Sequence, residues 1–124
     1  MSTKISVLVP TIGERYFELR RLFDSLINQH YADIEVVVVV QDNYESMRNL
    51  CDSYANKLDI LFGDTDKKGL SGARNLGMKN ATGEIILLSD DDCWYVENAM
   101  NKISNFFGNN PDVDILLTQI YDPI

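Results

Sequence analysis

The chain has 124 residues, enough for one compact domain and too few for two. Apolar residues make up 45% and charged residues 24%, the balance of a soluble globular domain rather than of a disordered chain. Lys plus Arg is 11 and Asp plus Glu is 19, so the formal net charge is −8. That charge argues against nucleic acid or an anionic membrane as partner, because both are held by clustered positive charge.

Along the chain, short β-branched runs alternate with helical patterns. Ile5–Thr11 (ISVLVPT) predicts a first strand. Leu19, Leu22, Phe23, Leu26 and Ile27 then share one helical stripe, with Arg20, Arg21, Asp24 and Asn28 opposite it. Ile34–Gln41 (IEVVVVVQ) predicts a second strand, and its unbroken valines, apolar on both faces, suit a central parallel position. A weaker helix runs from Tyr44 to about Asn56 on Met47, Leu50, Cys51 and Tyr54, and Leu58–Phe62 is a short third strand.

Gly69–Gly72 reads as a turn, with Ser71 as cap of a helix reaching about Asn80. Glu84–Ser89 (EIILLS) predicts a fourth strand that runs straight into three aspartates. A helix over Val96–Phe107 stops at Gly108-Asn109-Asn110-Pro111, and Asp114–Ile120 predicts a fifth strand. The longest purely apolar run, Val36–Val40, is too short to span a bilayer, and Met1-Ser2-Thr3-Lys4 begins no signal-peptide pattern. Cys51 and Cys93 are lone cysteines and His30 is the one histidine, so neither a zinc site nor a disulfide framework is expected. The thiols suit a reducing cytoplasm.

This alternation implies an α/β fold, a doubly wound, mostly parallel sheet with helices on both faces and right-handed crossovers. Such sheets bind ligands outside the carboxyl ends of their strands, near a switch in strand order. The residues that matter are therefore Pro10–Glu14, Asp42-Asn43, Gly63–Gly72, Asp90–Cys93 and Tyr121-Asp122.

Asp90-Asp91-Asp92 is the strongest signal among them. Three adjacent carboxylates repel one another, and a divalent cation supplies the missing counter-charge. Mg²⁺ or Mn²⁺ takes oxygen ligands and is often held by one or two carboxylates, with phosphate oxygens and water completing the shell. On an extended segment residues i and i+2 point the same way, so Asp90 and Asp92 are expected to face one ion while Asp91 turns aside. A solvated acidic loop is the bland alternative.

Asp42, directly after the valine strand, can accept hydrogen bonds from a base or ribose, or either it or Asn43 can cap the following helix. In Gly69-Leu70-Ser71-Gly72-Ala73-Arg74-Asn75-Leu76-Gly77 a glycine turn opens a helix whose free N–H groups suit a phosphate. Arg74, one turn in, either reaches a diphosphate or braces Asp90 or Asp91. After the first strand, Pro10-Thr11-Ile12-Gly13-Glu14-Arg15 offers a hydroxyl and carbonyl at Thr11, or is a plain turn capped by it. Trp94 and Tyr95 either floor a sugar site or pack in the core, His30 reads as a surface residue, and Lys67-Lys68 as a solvated loop.

Taken together, ISVLVPTIGER, IEVVVVVQDN and GLSGARNLGMKNATGEIILLSDDD, in that order and spacing, resemble the nucleotide-binding part of a family 2 glycosyltransferase of the GT-A fold. The resemblance runs from Ile5 to about Phe107. It implies an inverting transferase that binds a nucleotide-diphospho-sugar, usually a UDP-sugar. Thr11, Ile12 and Glu14 would line the base pocket and Asp42 would contact the base. Asp91 would lie near the ribose, with Asp90 beside it. Asp92, the last aspartate of the DxD motif, would hold Mn²⁺ or Mg²⁺ together with Asp90, and Arg74 matches the family's arginine. Where the family commonly has an acid, an aromatic and an asparagine, this chain has Gln41, Ile12 and Gly13.

The resemblance also implies a single donor-binding domain over residues 1–124, with the acceptor half and its catalytic base absent. An exposed sheet edge would then favour self-association. The acceptor is a sugar or glycan of unknown identity, and the location cytoplasmic, peripheral to the membrane in a longer chain. Three other classes remain: a catalytically silent nucleotide-sugar binding module, an aspartate-pocket phosphoryl-transfer protein, and a purely structural, ligand-free domain. The second carries its key aspartates after the first strand, where this chain has Pro10-Thr11, and the third leaves the acid triplet uncompensated.

Overall fold

A computed structural model describes residues 3–66 and 69–118. Four strands, β1 (Ile5–Thr11), β2 (Ile34–Val40), β3 (Asp59–Asp64) and β4 (Ile85–Leu88), alternate with four helices, α1 (Tyr16–Ile27), α2 (Tyr44–Ser53), α3 (Leu70–Asn80) and α4 (Ala99–Asn109). Every ladder is parallel, in the order β3-β2-β1-β4. The chain steps outward from β1 through β2 to β3, then returns to place β4 on the other side of β1. Strand order therefore reverses at the β1/β4 seam, where a parallel sheet opens a crevice.

The two-residue period of the strands sorts the core into two layers. Ile5, Val7 and Val9 of β1 and Val36, Val38 and Val40 of β2 face α1, α2 and α4, which contribute Leu19, Leu22, Phe23, Met47, Leu50, Met100 and Ile103. Leu8, Val37 and Val39 point the other way, against Ala73 of α3. β2 is buried along its whole length, as its valine run requires. The second face is covered only in part. Leu88 of β4 is 57% exposed, and Ile86 and Leu61 are exposed beside the same layer.

Most expected elements appear, with shifts of one to three residues at their ends. The predicted fifth strand does not appear in residues 114–118, where Ile115 and Leu117 are exposed. A strand is defined by a ladder, and no described neighbour supplies one. Residues 119–120 of that segment, Tyr121-Asp122 and Lys67-Lys68 lie outside the described residues. The expected caps differ at α1 and α3, where the N-terminal residues are Arg15 and Gly69, while Asn43, one of the two expected, stands at α2; none makes a side-chain cap bond. Thr11 is the last residue of β1, Asp42 precedes the residue that caps α2, and Ser71 lies inside α3.

At the opposite end of the sheet from the crevice, a buried polar knot joins β1, β2 and the loop before β4. Glu35 accepts hydrogen bonds from Ser6 Oγ at 2.6 Å, from the Thr82 N–H at 2.9 Å and from Thr82 Oγ1 at 2.9 Å. Ser6 Oγ in turn accepts from the Gly83 N–H at 2.8 Å, and Lys4 Nζ stands 3.6 Å from Glu35. A Cβ at Gly83 would come within 2.6 Å of Ser6 Oγ, so only glycine permits this approach. Burial pushes the Glu35 carboxyl up, but the bonds from Ser6 and Thr82 and the Lys4 charge outweigh it and hold it below its ordinary 4.5.

Removing the carboxylate strands Ser6 and Thr82, so Glu35→Ala is expected to cost about 3 kcal/mol, read from urea denaturation midpoints. Because the folded value is depressed, the charged form's contribution is present above the unfolded value and is lost as pH falls through the folded one. The stability gap between wild type and Glu35→Gln should accordingly narrow below about pH 4.

Candidate functional site

The carboxyl ends of β2, β1 and β4 lie side by side, so Asp42, Thr11 and the acid triplet form a row across the sheet edge. Register decides which acid meets Thr11. Ile5 pairs with Ile85 and Leu8 with Leu88, a constant offset of 80, which continued past the ladder sets Thr11 opposite Asp91. Thr11 Oγ1 donates to Asp91 Oδ2 at 2.7 Å and accepts from the Gly13 N–H at 3.0 Å. The threonine is buried and its carbonyl accepts from the Gln41 N–H at 2.9 Å, which locks the end of β1 to that of β2.

The triplet is divided among cations. Asp91 is the inward member, its side chain 14% exposed, with Arg15 Nε 3.4 Å from Oδ1. The side chain of Asp92 is 47% exposed and its Oδ2 accepts from Arg15 Nη1 at 2.7 Å, while Arg21 donates to the Asp92 carbonyl at 3.1 Å. Asp90, its side chain 65% exposed, lies 3.5 Å from Arg74 of α3. Burial raises the Asp91 carboxyl above its ordinary 3.8, and the Asp92 charge adds to this; Thr11 and Arg15 pull the other way but do not cancel it.

The structure gives Asp90 and Asp92 no common arginine: Arg74 belongs to the helix on one face of the sheet and Arg15 to the start of the helix on the other. The i, i+2 rule holds for extended backbone, whereas residues 91–92 form a turn. Nor does the triplet lack counter-charge without a ligand, since arginines from three places supply it. Arg15 and Arg21 escaped the sequence reading. Their signal was available only through strand order, because the loop after β1 meets the loop after β4 once those two strands are neighbours.

Both ends of the acid segment are pinned. Buried Ser89 bonds the Tyr95 hydroxyl, and the Tyr95 N–H donates to Ser25 Oγ at 3.1 Å. Tyr95 packs against the core and burial raises its hydroxyl to about 12, so it stays neutral. Trp94 instead is partly exposed, with the Arg21 guanidinium 3.8 Å above its ring. His30 is exposed, in a left-handed conformation.

On the other flank of Thr11, Ile12 and Glu14 are exposed at the rim. Asp42 is exposed and accepts from the Asn43 N–H at 2.8 Å, and Asn43 Nδ2 reaches the Ile12 carbonyl at 3.4 Å. Gly13 has φ +84°, and a Cβ there would lie 2.4 Å from the Asp42 carbonyl oxygen. The two loops can touch only because this residue is glycine. Gln41 Oε1 accepts from the Gly69 N–H at 3.1 Å and so ties the start of α3 to this rim. Arg74 presents its guanidinium at the same edge, and its Nε is buried with no hydrogen-bond partner among the described residues. A buried donor left open in this way suits an incoming oxygen ligand.

The donor set fits a hard divalent cation of one kind. Asp90 and Asp92 present carboxylate oxygens at the surface, each with lone pairs beyond its arginine contact. Mg²⁺ and Mn²⁺ take such oxygen ligands and are often held by one or two carboxylates.

Thr11→Val deletes the hydroxyl that donates to Asp91 without changing side-chain shape. The Asp91 carboxyl should then titrate at still higher pH than in the wild type, as followed by ¹³C chemical shifts of the carboxyl carbons.

Comparison with known proteins gives the relatives of this chain. The chain is 35% identical over 109 residues to the Glycosyltransferase GlyA of Streptococcus pneumoniae, covering 83% of this chain and 15% of that protein. It is 29% identical over 121 residues to the poly(ribitol-phosphate) beta-N-acetylglucosaminyltransferase TarS of Staphylococcus aureus, covering 94% of this chain and 21% of that one. The crystal structure of TarS 1–349 in complex with UDP-GlcNAc superposes with a TM-score of 0.77 at 28% identity, over 87% of this chain and 32% of that one. The chain thus spans a minor part of the length of the relatives it matches. The family described as Glycosyl transferase family 2 matches residues 6–123. With a parallel sheet of this order and an acid triplet at its switch point, the chain belongs to glycosyl transferase family 2.

Proposed function

We propose that this chain binds a nucleotide-diphospho-sugar, a UDP-sugar by preference, and serves its transfer to an acceptor hydroxyl with inversion at the sugar. The observation that carries the reading is the row Asp42–Thr11–Asp91 at the β1/β4 switch point, flanked by Arg74, whose buried Nε has no hydrogen-bond partner among the described residues. The UDP-GlcNAc in the TarS complex, seated on a similar fold, supports the choice of donor.

Each residue has a part that its position suits. Ile12 offers an apolar wall and Asp42 an acceptor for the N–H of a base, with Thr11 and Glu14 bounding that pocket. Asp91, already oriented by Thr11, accepts from a ribose hydroxyl. Arg74 Nε donates to a diphosphate oxygen, which would satisfy its buried N–H. Asp92, with Asp90, would hold Mn²⁺ or Mg²⁺. When bound, such an ion stabilises the charge that gathers on the departing nucleoside diphosphate. The displacement also needs a base for the acceptor hydroxyl. None of Asp90, Asp91 and Asp92 suits that task, since each is paired to an arginine.

The site lies on a chain in which no helix among the described residues is long and apolar enough to cross a membrane. A donor-binding module without turnover rests on the same residues, and UDP-sugar hydrolysis assayed beside binding separates the two.

With Mn²⁺ present, UDP at about 100 times its dissociation constant should raise the melting temperature by roughly 10 °C. Asp92→Ala should abolish that shift. An equal shift without metal would overturn the metal bridge, and no shift under any condition would overturn the donor site.

A further inference from the structure

Resting on that reading of the donor site, the geometry assigns Arg15 a role that the fold alone does not demand. We infer that Arg15 is the resident cation of the Asp91/Asp92 pair in the donor-free protein, and that a divalent ion approaching Asp92 competes with its charge and turns it out. Metal and nucleotide then bind as a couple rather than one after the other.

Arg15 Nη1 sits 2.7 Å from Asp92 Oδ2 while its Nε sits 3.4 Å from Asp91 Oδ1, so one guanidinium bridges both carboxylates. No other described cation contacts the Asp92 carboxylate; Arg21 holds only the carbonyl of that residue. The bridge is built to be released. Arg15 caps α1 with its backbone, its carbonyl accepting from the Leu19 N–H at 2.9 Å, while its side chain makes no cap bond and remains 48% exposed. Exposed pairs of this kind contribute little to stability. Asp91 keeps its Thr11 bond when the arginine leaves, and Asp92 keeps its backbone position through Arg21. The acid segment therefore has no need to refold when its cation changes.

Charge decides the order of events. A divalent ion arriving alone must give up water and expel a cation already in place, which leaves a small net gain. A diphosphate arriving with it brings negative charge for both the ion and the freed guanidinium. By linkage the same factor that tightens metal binding in the presence of nucleotide tightens nucleotide binding in the presence of metal.

The test measures Mn²⁺ binding to the whole chain by the electron paramagnetic resonance signal of the free ion, with and without UDP. Arg15→Gln should bind Mn²⁺ alone on the order of tenfold tighter than wild type, and its UDP–Mn²⁺ coupling factor should fall. Arg15→Lys should stay near wild type. Arg48→Gln, which removes an equal charge from the ion pair with Asp52 on α2, should do so too. Unchanged or weaker Mn²⁺ binding by Arg15→Gln overturns the inference. If wild type then still holds Mn²⁺ in the presence of UDP, the donor site itself stands; if it does not, both fall. In the wild type, the Arg15 Nε–H resonance should shift when Mg²⁺ and UDP are added together and stay in place with Mg²⁺ alone at the same concentration. A full shift with Mg²⁺ alone also overturns the coupling.

Discussion

The crevice depends on one contact, the hydrogen bond from Thr11 to Asp91 across the β1/β4 seam. It forms where two parallel strands stop pairing but keep their register for three more residues. Backbone ladder bonds can no longer hold the chains together there, and a buried hydroxyl and a carboxylate take over. Because Asp91 is drawn inward by this bond, its neighbours Asp90 and Asp92 are left at the surface on either side. The loop after β1 and the loop after β4 are thereby set as the two walls of one site.

An excess of acid over base at such a site raises a question of charge. The chain answers it locally, with Arg15, Arg21 and Arg74 gathered around three aspartates although arginine and lysine are the minority overall. The arrangement separates two requirements. Folding needs the carboxylates neutralised, which arginines accomplish from the protein itself. Ligand binding needs carboxylates that can exchange partners, which exposure of Asp92 and Arg15 provides. The buried knot around Glu35 at the far end of the sheet shows the contrast. There the carboxylate is satisfied on every side and has nothing left to offer.

Much of the site could be read from residue order. Asp42, Thr11 and the triplet follow strands whose apolar patterns are unambiguous, and the carboxyl edge of a parallel sheet collects them by topology. Rules of regular structure lose their hold at the ends of elements. The i, i+2 alternation stops where residues 91–92 turn, and the apolar content of residues 114–118 makes no strand because the described residues supply no partner. The role of Gly13 was visible as a glycine in a loop. That it lets the loop after β1 touch the carbonyl of Asp42 was not.

Hydrophobic period alone determined the α/β alternation, the burial of β2 on both faces and the position of each acid at a strand end, because these depend on residues near one another in the chain. Only the tertiary structure decided that β4 lies beside β1, that Thr11 takes Asp91 and that Arg15 reaches Asp92. Those pairings join residues 80 and 77 positions apart. No local pattern encodes such separations, since they are set by the order in which strands pack and by the register in which neighbouring strands bond.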